Sequence, residues 1–544
     1  MMSLKKWVVL SAAGSALLLA GCQNAKADNT NAAGATWSRM EKDNITSMDP
    51  SKAVDGISAQ AITDTMEGLY RYGGTDLQPG LAKSIVKPTH QGTVYTFKLR
   101  SAKWSNGDPV TAQDFVYGWR RTIDPKTKSQ YTYLYTGIKN ADAIMAGKKK
   151  PATLGVKALD QHTFQVTLDH PIPYFNTMLA SFFFYPENAK VIAKYGKQYG
   201  TKASTLVSNG PYILKNWNGS STSWQEVKNP TYWNAKKVHI KQINVTAIKD
   251  ASTAMNLFQS GKLDDAIISG DQAAQAKAMP DYKGLKQTAT TYLQLNEKTE
   301  PAFKNTKIRQ AISHALDRDE FIKKVLQNGS VAATGFTPIG LAKDPTTGKD
   351  FNQEAAATTK QYSTHDTALA KKLWTDGLAE TGKKSITTTL LVGDGTSDKK
   401  TAEYIQNALE TALPGMHVNV SAVPAKTKQD REFSGDFGMD LSGWIADFPD
   451  PITFLDCMTS DNTYNQGKWS NAQYDKLIKE SKTTYATQPA KRWQVLLQAQ
   501  KLLTQDQGMI PLYQTVEAHL VNKKISGMTY GPTNYYNFVG AKIK

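Results

Sequence analysis

The chain has 544 residues, 40% of them hydrophobic and 21% charged, and its 65 Lys and Arg against 48 Asp and Glu give a formal charge of +17. This is the composition of an ordinary globular protein, too long for a single hydrophobic core, so two or three domains are expected. The basic residues are scattered lysine pairs, not a stripe interleaved with aromatics, which argues against a nucleic-acid ligand and for a solvated surface suited to an anionic envelope.

The chain opens with Lys5 and Lys6, followed by an apolar run from Trp7 to Ala20. That run is shorter than the roughly 20 residues a membrane span needs and reads as a secretory signal. Leu19-Ala20-Gly21-Cys22 resembles a bacterial lipobox, which implies cleavage before Cys22 and a diacylglycerol on its sulfur. With the amine acylated as well, the two or more buried chains suffice for stable anchoring. Residues 1–21 are thus expected to be a lipoprotein signal peptide and the small, polar stretch 22–35 a flexible tether. The body would sit on the outer face of the cytoplasmic membrane. The only other cysteine, Cys457, is expected to be a buried small hydrophobe with no disulfide. Basic charge without disulfides points to a single-membrane bacterium.

Further along, "VYTFKLR" (94–100) and "TFQVTLD" (163–169) alternate apolar and polar residues, as half-buried strands do. Between them, Thr111 and Asp114 form a capping pattern ahead of Phe115, Val116 and Trp119, which marks a helix start. "DASTAMNLFQSGKLDDAIISG" reads as a capped helix, a stop at Gly261 and a short strand. Ile308, Ala311, Ile312, Ala315 and Leu316 recur at helical spacing, with a stop expected at Gly329. More helices are expected at 365–379, 399–412, 472–485 and 488–506, and 341–362 reads as loop. Mixed strands and helices make the fold α/β or α+β.

No enzyme is expected. H-E-x-x-H and G-x-S-x-G are absent, and the eight histidines are dispersed, so neither metal nor cofactor is implied. "GLAETGKK" (377–384) matches G-x-x-x-x-G-K but has lysine where Ser or Thr must hold Mg²⁺, and it follows a helix, not a strand. It is read as a helix end.

Several stretches together resemble one family. They are "AKWSNGDPVTAQDFVYGWRR" (102–121), "SNGPYIL" (208–214), "NPTYWNAKKV" (229–238), "SGKLDDA" (260–266), "IRQAISHALDRDEFI" (308–322) and "GWIADFPDP" (443–451). In order and approximate spacing they are similar to the oligopeptide-binding, OppA-like family, the extracytoplasmic solute-binding proteins of peptide ABC importers. The resemblance implies a two-lobed, periplasmic-binding-protein-like α/β fold of class II type, with an extra α+β domain inserted in lobe one. Lobe one would comprise 36–66, 196–292 and 515–544, the extra domain 67–195 and lobe two 293–514, with the hinge near residues 292 and 514. The function implied is capture of oligopeptides by a monomer and their delivery to the permease membrane subunits and associated ATPases. The alternatives are another ligand (chelated metal, haem, sugar or a signalling peptide) and a surface receptor or adhesin.

A receptor for many sequences must grip what all peptides share. Backbone groups can be met by strand addition, and a free ammonium by one fixed carboxylate. The resemblance puts Asp447 in the second role, with the backbone of Gly443, Trp444 and Ile445 on one side of the ligand and that of Val54 and Gly56 on the other. Tyr117, Tyr292 and Tyr513 match positions near the ligand, and Asn209 is expected to line the cleft. Asp450 is read as a turn former. Relatives hold the peptide's carboxyl terminus with basic residues. Here Leu441 replaces one of them and Arg431 lies one residue from another, which leaves that grip unassigned.

Overall fold

The computed structural model describes residues 36–533 and 535–544. The signal peptide, Cys22 and the tether lie outside the described residues. Among the described residues no helix is long and apolar enough to cross a membrane.

Eleven strands form one curled mixed sheet. In chain order they are β1 (Thr36–Glu41), β2 (Tyr212–Lys215), β3 (Ser223–Lys228), β4 (Gln242–Ala247), β5 (Asp265–Ile268), β6 (Tyr282–Leu295), β7 (Val331–Ala332), β8 (Ile386–Gly393), β9 (Met416–Val423), β10 (Met439–Ile445) and β11 (Ile510–Val521). Their order across the sheet is β9-β8-β10-β6-β11-β5-β1-β4-β3-β2, with β7 on β11. The strands from β5 to β2 belong to one lobe and those from β9 to β10 to the other. Only β6 and β11 run through both. They are antiparallel, and their pairing slips between Lys286 and Thr290 and again between Thr291 and Tyr292. Unpaired backbone at a slip bends more easily than a continuous ladder, so two long strands with a broken register suit a hinge. The fold is thus the two-lobed α/β fold of class II type.

The insert after the first lobe-one segment is built on strands Val94–Lys98, Val156–Asp160 and Thr163–Thr167. The capping box at its helix, Ala112–Ile123, is present, with Asp114 Oδ2 accepting from the Thr111 N–H at 2.7 Å. The helix lays Trp119 edge-on to Phe164 at 5.1 Å and ties the indole N–H to the Phe184 carbonyl at 2.9 Å. Lobe two has a core of its own around Ile308, Ile312, Trp374, Leu390 and Leu409. Its later segments, including Trp444, Phe448, Phe454 and Trp493, instead join one continuous apolar cluster with the insert.

Two local expectations are corrected. Residues 341–362 are not merely loop: Phe351–Thr359 is a helix, capped by Asp350 at the Gln353 N–H, with Phe351 edge-on to Trp493 at 4.9 Å. The helix from Thr306 does not run to Gly329 but ends at Ala315. Arg318 is buried there and donates to the carbonyls of Ser313, Leu316, Ser363 and Pro511, capping the first helix as a second begins. "GLAETGKK" is a helix end: Thr367–Thr381 stops at Gly382, whose φ is 69°.

Lobe one's sheet buries a charge cluster. Arg39 on β1 pairs with Glu41 and lies 3.7 Å from Asp64 and 3.6 Å from Glu226. Burial pushes the Asp64 and Glu226 carboxyls upward. Arg39→Met would leave three acids without their cation, and a loss of about 3–5 kcal/mol of stability is expected. Thermal unfolding of ligand-free protein measures it. The deficit is expected to shrink as pH falls and the raised carboxyls protonate.

Candidate functional site

The site begins at the free edge of β10. Its Met439 and Asp440 pair with Leu390 and Leu391 of β8, and beyond them that side of the strand has no partner among the described residues. The other side stays paired with β6 as far as Ile445 opposite Ala289. The Ala446 N–H donates to the Thr288 carbonyl at 3.0 Å, so strand alternation turns the backbone groups of Gly443 and Ile445 to the open edge. Across the cleft, Val54, Asp55 and Gly56 lead into the helix Gly56–Thr65, where Asp55 caps the Ser58 N–H at 2.8 Å. A Cβ on Gly56 would stand 3.2 Å from Ile445 Cδ1, so the two lobes nearly touch there.

Between these segments lies a cavity of about 300 Å³. Of the residues expected from sequence it brings together Val54, Gly56, Tyr292, Gly443, Trp444, Ile445 and Asp447. A Cβ on Gly443 would meet nothing closer than the Thr290 carbonyl at 3.9 Å, so the fold itself leaves room for a side chain at this position.

Asp447 is buried and has no lysine or arginine partner among the described residues. Thr453 Oγ1 donates to its Oδ2 at 2.9 Å and accepts from its N–H at 3.0 Å, which fixes the carboxylate. Burial pushes its pKa up to about 7, against the opposing pull of the Thr453 and Tyr133 hydroxyls. Its carbonyl accepts from Ser181 Oγ at 2.6 Å, a contact from the insert to lobe two. Asp450 is tied off by Arg492 through two bonds of 2.7 and 2.8 Å, a structural pair.

Three expected residues lie elsewhere. Tyr117 packs with Val191 and Ile192 of the insert and with Tyr199 just beyond it. Tyr513 is buried in lobe two's core beside Phe321, ring centres 5.8 Å apart. Asn209 is spent on backbone, accepting from the Glu67 N–H at 3.1 Å and donating to the Glu67 carbonyl at 2.9 Å. None of the three lines the cavity. Arg431 bonds Asp436 at 2.9 Å and Ser421 at 2.8 Å and does not line it either.

The sequence reading missed a second set of wall residues. Tyr131 and Phe182 come from the insert, and Tyr464, Phe433, Lys428 and Glu432 from lobe two. Tyr131 and Tyr464 stand 5.1 Å apart and flank Trp444 at 6.3 and 4.7 Å, so rings from both lobes close over one wall. The aromatic runs "YTYLY" (131–135) and "SFFFY" (181–185) were the available signal. Lys428 is held by Glu432 and, at 2.9 Å, by Asp440, whose buried carboxyl is pushed up to about 8.

A two-lobed α/β receptor with a ligand-sized cavity at the lobe junction is the class this geometry defines. The family described as bacterial extracellular solute-binding proteins, family 5 Middle, matches residues 76–466, and the chain belongs to that family. It is 37% identical over 517 residues to a dipeptide-binding protein of Lactococcus lactis, covering 92% of this chain and 93% of that one. The structure of Listeria monocytogenes OppA bound to peptide superposes with a TM-score of 0.89 at 36% identity, covering 94% of this chain and 99% of that one. A structure of the Escherichia coli murein tripeptide binding protein MppA gives a TM-score of 0.83 at 29% identity, covering 93% of this chain and 98% of that one. The unliganded open form of MppA gives only 0.60.

With Asp450 paired to a largely buried guanidinium, Asp450→Ala is expected to strand Arg492 and lower stability by about 3 kcal/mol. Differential scanning calorimetry of the variant checks this.

Proposed function

We propose that the protein is a lipid-anchored, extracytoplasmic receptor for oligopeptides that passes them to an ABC permease. The observation that carries the reading is a buried, unpaired carboxylate at the end of an unpaired strand edge. A peptide laid along β10 would add one strand, meeting the backbone of Gly443 and Ile445 on one side and that of Val54 and Gly56 on the other. Its ammonium would meet Asp447. Neither contact depends on the ligand's side chains. The lobes would close over it by flexing β6 and β11 where their register breaks, and the permease would favour the closed, loaded form. The family supplies solute binding, and peptide names recur among the relatives that match nearly the whole chain. Anchoring through Cys22 and the seven-part division of the chain belong to the same proposal.

Removing one partner of a buried charge pair costs roughly 3–5 kcal/mol, or two to three decades of affinity at about 1.4 kcal/mol per decade. Asp447→Asn is therefore expected to weaken binding of a free-amine peptide about a hundredfold or more in calorimetric titration. N-acetylation of the peptide should weaken it comparably.

The raised pKa of Asp447 adds a pH signature. In the open form an exposed aspartate is ionised above about pH 4. A desamino peptide, its amine replaced by hydrogen, would bury Asp447 without a partner, so the closed complex takes up a proton below pH 7. Its affinity is expected to rise about tenfold per pH unit as pH falls from 7 toward 5. The free-amine peptide keeps Asp447 ionised and paired, and its affinity stays flat over that range. Parallel pH profiles for the two ligands would remove Asp447 from its role.

Gly443→Val tests the strand edge. The β-carbon of the new side chain meets nothing in the protein closer than 3.9 Å, so the melting temperature should hold while affinity drops at least tenfold. Wild-type affinity in this variant would rule out pairing at that edge.

A further inference from the structure

Away from the peptide cavity, the two lobes meet a second time. In lobe one, β1 and β4 run parallel, and the chain leaves them as Lys42–Asp43 and as Lys249–Asp250. In lobe two, β8 ends at Gly393 and passes through Asp394 and Gly395 into the helix Thr396–Ala412. Lys249 Nζ lies 3.1 Å from Asp43 of its own lobe and 2.5 Å from Asp394 of the other. The Thr396 N–H also reaches the Lys249 carbonyl at 3.4 Å, so main chain as well as side chain crosses the gap.

The lobe-two loop is shaped for this contact. A Cβ on Gly393 would fall 2.3 Å from Asp398 Oδ2, so the Asp398 carboxylate packs directly over the loop backbone. Asp398 has Lys42 and Lys428 as its nearby cations, and Lys42 pairs with Glu517 on the crossing strand β11. A second interlobe pair, Lys400 with Asp271, is looser at 3.9 Å and more exposed. Lys249, Asp43 and Asp394 keep 34%, 20% and 28% of their side-chain surface, so their attraction is less screened than on an open surface.

We propose that Lys249 is an interlobe clamp: an ammonium held ready by Asp43 and met by Asp394 only when the lobes close. It touches no cavity residue, so it acts on the open–closed equilibrium and strengthens every ligand by the same factor. This rests on the reading that ligand binding closes the lobes.

Calorimetry and stopped-flow kinetics with two peptides of unrelated sequence, at 50 and 500 mM NaCl, test it. Asp394→Asn is expected to weaken both peptides equally, about threefold to tenfold, mainly through faster release. It should also flatten the salt dependence seen in wild type. The swap Lys249→Asp with Asp394→Lys, made with Asp43→Asn so that no second carboxylate faces the new aspartate, should recover much of the affinity, which a merely structural role for either residue would not allow. Wild-type affinity and salt slope in Asp394→Asn, a loss confined to one peptide, or no recovery in the swap would each overturn the clamp. If wild type bound neither peptide, the peptide-receptor reading would fall, and the same variants would be compared with the molecule that co-purifies.

Discussion

A carboxylate that must be buried without a partner governs this structure. Asp447 lies between the closed lobes with only hydroxyls beside it, and its pKa stands about three units above that of an exposed aspartate. Keeping it ionised in the empty closed form costs on the order of 4 kcal/mol. The cost vanishes when the lobes open and water returns, and it is offset when a cation arrives. In the proposed mechanism closure would thereby be conditional on a guest with a positive end, with no moving part beyond two strands with a broken register.

The other interlobe contacts act in the opposite direction. Ser181 donates to the Asp447 carbonyl, Tyr131 meets Trp444 and Tyr464, and Tyr174 stacks on Phe448 at 5.0 Å. Each is made across the cleft and favours closing whether or not a ligand is present. Most come from the insert. Far from being decoration on lobe one, that domain supplies much of the surface against which lobe two shuts, and the continuous apolar cluster shared by the two is the sign of it.

What was legible in the sequence was what is local. The capping box at Thr111, the cap at Asp250 and the stop at Gly261 follow from backbone chemistry within a few residues, and all three are present in the fold. "GWIADFPDP" gathers the strand edge and the carboxylate in nine consecutive residues, so one motif placed Gly443, Trp444, Ile445 and Asp447 on the cavity wall. Tyr117, Tyr513 and Asn209 were read from position alone, and the structure engages them in insert packing, lobe-two packing and a backbone clasp on Glu67, respectively. Tyr131 and Phe182 became wall residues only because the insert folds over lobe two, a long-range fact that no local pattern carries. The helix Phe351–Thr359 was hidden by its threonines and by the polar, turn-forming run "KDPTTGKD" before it. Its stability comes from Phe351 against Trp493, a partner 142 positions away.

Breadth and strength of binding usually compete, because tight contacts to one side chain exclude others. Here they are assigned to different atoms. In the proposed binding mode, strength would come from backbone pairing and a charge pair that every free peptide can make, together with interlobe contacts the ligand does not touch. The rings of the cavity's aromatic wall pack on one another, Tyr131 on Tyr464 and Tyr464 on Trp444, so the wall is held together by the protein's own side chains. Discrimination then falls on what is common to all the ligands: whether a free amine is present, and whether the backbone can lie extended along β10. A receptor working in this proposed way would reject a blocked terminus far more strongly than a changed sequence.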